Sequence, residues 1–165
     1  YINNFYKEID NRVSELCGSQ VESKIPERIN SEFWIRIVRP VEYTNCFDNN
    51  PPHRDISIKR LRNALNLYFP LIGSGKESSL GIIPGSHRWK ECEIQRTTNG
   101  THIGDNKFNV LCVTDTKFGG VNIERPFINK GEFLLFSPYC IHGGAPNFSD
   151  LTRMSLEMRF WKKRA

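Results

Sequence analysis

The chain has 165 residues, a net charge of +5 and 38% hydrophobic residues, enough apolar side chain for one core and too short for two ordinary domains, so a single domain over 1–165 is expected. No apolar run approaches the roughly 18 residues of a membrane span, and no charged segment leads into an apolar signal-type stretch, so a soluble protein without membrane attachment is expected. Basic residues gather in Lys59-Arg60-Leu61-Arg62 and Trp161-Lys162-Lys163-Arg164, but neither cluster belongs to a recognisable nucleic-acid module, so both read as solvated faces and no nucleic-acid partner is expected.

The chain opens on Tyr1 rather than Met, which leaves an unseen N-terminal part open. Ile2, Phe5, Tyr6, Ile9, Val13 and Leu16 recur at helical spacing, and Gly18 stands where a C-terminal cap glycine ends a helix. After Pro26 the pattern changes to short runs of β-branched and aromatic residues at 33–38, 64–69, 80–83, 110–113, 133–136 and 154–161. Turn residues such as Gly73-Ser74-Gly75, Gly119-Gly120 and Gly143-Gly144 punctuate them. Many short strands with a helix at one end predict a mainly β fold, a double-sheet jelly roll or barrel with the helix packed on one sheet and one open mouth. The stretch 89–130 is rich in polar turn residues and long for one connection, so it is expected to supply a flap over that mouth and substrate contacts.

Cys17, Cys46, Cys92, Cys112 and Cys140 are odd in number and include no CxxC pair. That pattern fits neither a disulfide framework nor a cysteine zinc site, and a reducing, cytoplasmic setting is expected.

The chemistry concentrates in two places. His53-Arg54-Asp55 puts an imidazole and a carboxylate two positions apart, on one face of an extended backbone. Far along the chain, His142 follows the apolar run 133–136 and lies where it can pair beside His53. Two histidines and a carboxylate make the facial triad of non-haem Fe(II) oxygenases, so His53, Asp55 and His142 are the candidate metal ligands and catalytic residues. An HxD pair alone is weak, because such pairs commonly form surface contacts or turns. Arg153 lies eleven positions beyond His142 and shares a strand face with Ser155. An arginine fork with a nearby hydroxyl suits the far carboxylate of 2-oxoglutarate, whereas the plainer reading is an amphipathic strand whose polar face meets water. Asn66 and Tyr68 alternate with Leu65, Leu67 and Phe69, so their polar tips are further candidates to reach 2-oxoglutarate, with a packed tyrosine an equal alternative. His87 sits in a Pro84-Gly85-Ser86-His87 turn as a lesser candidate for substrate contact, His102 reads as a loop residue, and Cys140 as an apolar filler beside the site.

These residues resemble the phytanoyl-CoA dioxygenase-like family of Fe(II)/2-oxoglutarate oxygenases. The resemblance runs from about Pro51 to Phe160. It rests on His53-Arg54-Asp55, on Leu80-Gly81-Ile82-Ile83-Pro84-Gly85-Ser86-His87-Arg88, on Gly131-Glu132-Phe133-Leu134-Leu135-Phe136, and on His142 with Asn147, Arg153 and Ser155. It implies a double-stranded β-helix, iron held by His53, Asp55 and His142, and 2-oxoglutarate gripped by Arg153 with Ser155. It also implies oxidation of a small-molecule substrate with O2, releasing succinate and CO2. Some relatives replace the carboxylate ligand to admit halide; Asp55 is intact here, which favours hydroxylation. A jelly-roll sugar-binding protein and a zinc-dependent hydrolase are the competing readings of the same residues.

Overall fold

The structure is a computed structural model, and it describes residues 2–23, 33–43, 48, 50–103, 106–143 and 146–163; Pro26, Cys46, Gly144 and Arg164 lie outside them. Helix α1 spans Ile2–Cys17. It ends as the sequence predicts: Gly18 takes φ +58°, and the Ser19 amide donates to the Ser14 carbonyl at 3.2 Å, closing a left-handed cap. Among the described residues nine strands follow in chain order: β1 Val21–Glu22, β2 Phe33–Val38, β3 Ala64–Ile72, β4 Ile94–Arg96, β5 Thr101–Ile103, β6 Asn106–Phe108, β7 Val113–Thr116, β8 Leu134–Phe136 and β9 Arg153–Lys162.

The main sheet is antiparallel and built around β9, which pairs with β3 on one side and with β1 and β2 on the other; β8 closes the far edge of β3. The register sorts side chains by period two. Leu156, Met158 and Phe160 of β9 share a face with Leu67 of β3, and this face packs against Val13, Tyr6 and Ile9 of α1. Burying each of these large apolar side chains contributes about 1.5–3 kcal/mol, which is why the helix docks there. The opposite face carries Arg153, Ser155, Glu157 and Arg159 from β9, with Asn66 and Tyr68 from β3 and Trp34 and Arg36 from β2. Arg153, Ser155, Arg159, Asn66 and Tyr68 of this face are buried in the fold, whereas Trp34 on β2 is exposed. Pro70 sits beyond the reach of β8, so its missing amide costs no bond on that side, and the register slips between Pro70 and Ile72.

The second layer is held by single bridges rather than long ladders: Ile82 pairs with Glu124 and His142, and His142 pairs with His53. Val113 continues this layer through its amide, which donates to the Pro52 carbonyl at 2.7 Å. The expected strand at 80–83 is therefore reduced to one bridging residue, Ile82, with two partners. The Ser78 and Ser79 amides are turned back onto the Gly75 carbonyl, and Pro84 has no amide, which leaves little free backbone between them. The strand expected at 110–113 starts instead at Val113, because the Cys112 amide is taken by the Thr97 hydroxyl. Between the layers lie Tyr68, Leu80, Ile82, Phe136 and Cys140, and behind the second layer lie Ile83, Ile94, Val113 and Ile141. The result is the double-stranded β-helix jelly roll, with α1 on one sheet.

Within 89–130, the region expected to supply a flap, there are two short antiparallel pairs: β4 with β7, and between them in the chain β5 with β6. Of the first basic cluster, Lys59, Arg60 and Arg62 are exposed around the buried Leu61. No described helix is long and apolar enough to cross a membrane.

Candidate metal centre

His53 and His142 are brought together by their backbones. Each donates its amide to the other's carbonyl, at 2.9 and 3.0 Å, so their rings leave the layer side by side with centroids 4.4 Å apart. Gly143 makes this packing possible. It adopts φ +87°, and a β-carbon there would stand 3.2 Å from two atoms of the His53 ring and 2.9 Å from the Asn50 carbonyl oxygen. Arg54, extended at φ −113° and ψ 141°, turns Asp55 back to the same side, where Asp55 opens a short 3-10 turn and donates its amide to the Pro138 carbonyl at 3.0 Å.

Both imidazoles are oriented alike. Nδ1 of His53 lies 2.7 Å from the Pro51 carbonyl and Nδ1 of His142 lies 3.1 Å from the Cys140 carbonyl. A carbonyl only accepts, so each Nδ1 carries the proton and each Nε2 keeps its lone pair for a metal. The Nε2 atoms lie 3.4 Å (His53) and 3.7 Å (His142) from the Asp55 carboxylate oxygens. All three ligand atoms fall within 4.8 Å of one another, and all three residues are buried. Burial pushes the Asp55 carboxyl up, but the interaction with His142, the contact with His53 and the Arg159 guanidinium more than reverse this and hold it well below the usual carboxylate range. Burial, and then His53, bring His142 down to about 4, so its imidazole is neutral at physiological pH. An ionised Asp55 carboxylate beside a neutral His142 imidazole is a protonation state that suits a divalent metal.

Arg153 and Ser155 are placed on the inner face of β9 as the alternation predicts. Arg153 is almost fully buried, donates to the Ser78 carbonyl at 2.8 Å and lies 5.7 Å from the centre of the Tyr68 ring. The Ser155 hydroxyl is fully buried and has no hydrogen-bond partner among the described residues, a state that costs about 1–3 kcal/mol unless a ligand relieves it. Asn66 points at the metal centre rather than at Arg153: its Nδ2 donates to Asp55 Oδ2 at 2.8 Å. The Tyr68 hydroxyl lies 3.1 Å from the Ser74 hydroxyl. Asn147, buried between the two halves of the motif, donates to the Val38 and Leu151 carbonyls and so fixes the loop from His142 to Arg153.

The secondary candidates fall outside the cluster of His53, Asp55 and His142. His87 is exposed with Nδ1 3.6 Å from the Cys140 sulfur, His102 is exposed on β5, and burial raises the Cys140 thiol among apolar neighbours. Ser86, not singled out by the sequence, is the tie that matters in this turn. Its hydroxyl donates to the Ile83 carbonyl at 2.7 Å and accepts from the Ile141 amide at 2.8 Å, next to His142. Two buried arginines were also not singled out. Arg54 reaches Glu91 at 2.6 Å and the Ser86 carbonyl, tying the HxD turn to the 86–91 segment. Arg159 stands 3.3 Å from Asp55. Its signal was present, since it continues the period-two row of Arg153 and Ser155.

A model of the phytanoyl-CoA dioxygenase (PhyH) family matches residues 3–155. No curated protein matches the sequence. Among solved structures, AviO1 from Streptomyces viridochromogenes Tue57 is similar at a TM-score of 0.59 and 16% identity, over 96% of this chain and 58% of that one. EvdMO1 follows at 0.54 and 21%, over 96% and 31%. SnoK, a non-heme alpha ketoglutarate dependent carbocyclase from nogalamycin biosynthesis, follows at 0.53 and 14%, over 93% and 55%. These likenesses are of fold, and the chain spans little more than half, or less, of each protein's length.

Proposed function

Since this chain belongs to the phytanoyl-CoA dioxygenase family, whose members use Fe(II) and 2-oxoglutarate, we propose that it is a non-haem Fe(II)- and 2-oxoglutarate-dependent oxygenase that hydroxylates a small-molecule substrate. The observation that carries this reading is the convergence of three buried donors, His53 Nε2, Asp55 and His142 Nε2, within 4.8 Å of one another. Two imidazoles and one carboxylate suit iron and leave an opposite face for other ligands. When bound, iron with 2-oxoglutarate and O2 supplies the oxidation of an unactivated C–H bond, with succinate and CO2 released.

The residues of the chain do the rest. His53, Asp55 and His142 hold the metal in fixed orientation through the Pro51 and Cys140 carbonyls and the Asn66 amide. Arg153 supplies a buried guanidinium for the distal carboxylate of 2-oxoglutarate, and the unpartnered Ser155 hydroxyl supplies a further donor beside it. Tyr68 forms the wall against which Arg153 lies. Asp55 keeps the carboxylate position filled, which favours hydroxylation over halide transfer. The four described cysteines, Cys17, Cys92, Cys112 and Cys140, are free thiols, in keeping with a reducing, cytoplasmic setting.

The test is aerobic incubation with Fe(II), 2-oxoglutarate and a panel of small molecules, reading succinate and product mass together. The reading expects succinate formation matched by a product one oxygen atom heavier. Hydrolysis supported by Zn2+ without 2-oxoglutarate would replace it with the hydrolase reading, and ligand binding without turnover of 2-oxoglutarate would replace it with the binding-protein reading.

A further inference from the structure

We propose that Arg159 is a positioning residue of the metal centre: it fixes which oxygen of Asp55 faces the iron and holds a permanent positive charge against that ligand. The inference rests on the assignment of iron to His53, Asp55 and His142, and adds a role that the ligand set does not contain.

Asp55 Oδ2 is shared by two donors, Asn66 Nδ2 at 2.8 Å and an Arg159 terminal nitrogen at 3.3 Å. A carboxylate oxygen has about two lone-pair directions, so Oδ2 is filled by these bonds and Oδ1, 3.4 Å from His53 Nε2, is the oxygen left for a metal. Arg159 itself is held on three sides. Its other terminal nitrogen donates to the Met158 carbonyl at 3.2 Å, its guanidinium lies 5.7 Å from the centre of the Trp34 ring, and it shares the inner face of β9 with Glu157. Glu157 is already engaged by both arms of Arg36, at 3.2 and 3.3 Å. Its partners therefore leave Arg159 directed at Asp55.

The chemical consequence has a sign. A guanidinium stays protonated at any working pH, and the pair is nearly dry, so its charge is weakly screened. A fixed positive charge beside a ligand opposes a third positive charge on the metal more than a second one. Arg159 thus favours Fe(II) over Fe(III), the state in which the enzyme must wait for substrate. A residue that only filled space would not shift this balance in a set direction.

The experiment measures the Fe(III)/Fe(II) midpoint potential of the iron-loaded protein, without substrate, by mediated redox titration. The parent is compared with Arg159→Gln, which retains a hydrogen-bond donor without charge, and Arg159→Lys, which retains the charge. The expected result is a midpoint moved to more negative potential in Arg159→Gln, corresponding to a change of about tenfold or more in the Fe(III)/Fe(II) ratio at fixed potential, and a midpoint close to the parent's in Arg159→Lys. An unchanged or more positive midpoint in Arg159→Gln overturns the proposal, as does a Lys variant that behaves like Gln. Should Arg159→Gln fail to fold, the Lys variant and Asn66→Leu still decide: Asn66→Leu removes a neutral bond and is expected to weaken Fe(II) binding with a smaller change in midpoint. A change in midpoint as large as that expected from charge loss would count against the role given to Arg159. Failure of the parent to bind Fe(II) would instead overturn the assignment of the triad, so the two failures are separable.

Discussion

Replacing Gly143 by alanine sets the backbone of the second histidine against the ring of the first. Gly143 sits at φ +87°, where an L side chain costs about 1–2 kcal/mol. The new methyl would also stand 2.9 Å from the Asn50 carbonyl oxygen and 3.2 Å from Nδ1 and Cε1 of His53. Backbone oxygen does not yield cheaply, so part of the overlap is relieved by pushing the imidazole, whose Nδ1 is tied to Pro51 at 2.7 Å. A total loss of about 2–4 kcal/mol follows, which for a chain of this size lowers the melting temperature by about 5–15 °C. The displaced ring should weaken Fe(II) binding by about 10–100-fold, as loss of a metal ligand's supporting contact generally does. Differential scanning calorimetry of the metal-free protein and anaerobic Fe(II) titration read the two effects. A Gly143→Ala variant with the parent's melting temperature and iron affinity would refute the packing described between Gly143 and His53.

Three further outcomes are expected. The metal-free protein should lose stability as pH falls from 6.5 towards 4, because His142 binds its proton at about 4 when folded and near 6.5 when unfolded. The unfolded chain holds more protons across that window, so the contribution is complete above it and declines by about 3 kcal/mol through it. Urea midpoints for the parent and His142→Ala should converge as the pH drops, and parallel profiles would contradict the assignment. Arg153→Lys keeps charge but loses the fork, and Arg153→Ala leaves a buried carboxylate without a counter-charge. Affinity for 2-oxoglutarate by calorimetry should fall in that order, with Ser155→Ala falling least and Fe(II) binding preserved in all three. Ser86→Ala leaves the Ile141 amide without its acceptor and should cost about 1–3 kcal/mol in chemical denaturation, while an unchanged midpoint would show that water replaces the hydroxyl.

Much of this fold is written in periodicities that act locally. The alternation from Arg153 onward marks β9 to within a residue, and the helical recurrence up to Leu16 with Gly18 behind it marks α1, because each pattern reports burial on one side. The 80–83 run defeats the same reasoning. Its apolar residues are buried, yet only Ile82 forms a bridge, and its partners, Glu124 and His142, are distant in the chain. The triad follows the same division. His53 and Asp55 are legible from their spacing, but the ties that orient them come from Pro51, Asn66 and Arg159, and only the first is a sequence neighbour. Asn66 shows the limit plainly: alternation placed its side chain on the inner face, but nothing local indicated that the tip meets Asp55. Arg125 carries no local signal at all, since its bonds to the Ser79 and Pro146 carbonyls span distant loops.

The central claim is that three side chains bind one iron and that the resulting site takes 2-oxoglutarate. Anaerobic titration with Fe(II), followed by 2-oxoglutarate, tests it directly by equilibrium metal binding and by the visible charge-transfer absorption of an iron chelate. The parent is expected to bind one Fe(II) per chain and to develop the absorption on adding 2-oxoglutarate. His53→Ala, Asp55→Ala and His142→Ala, each folded by circular dichroism, are expected to lose both. Iron binding and chelate absorption unchanged in any one of these variants would contradict the account.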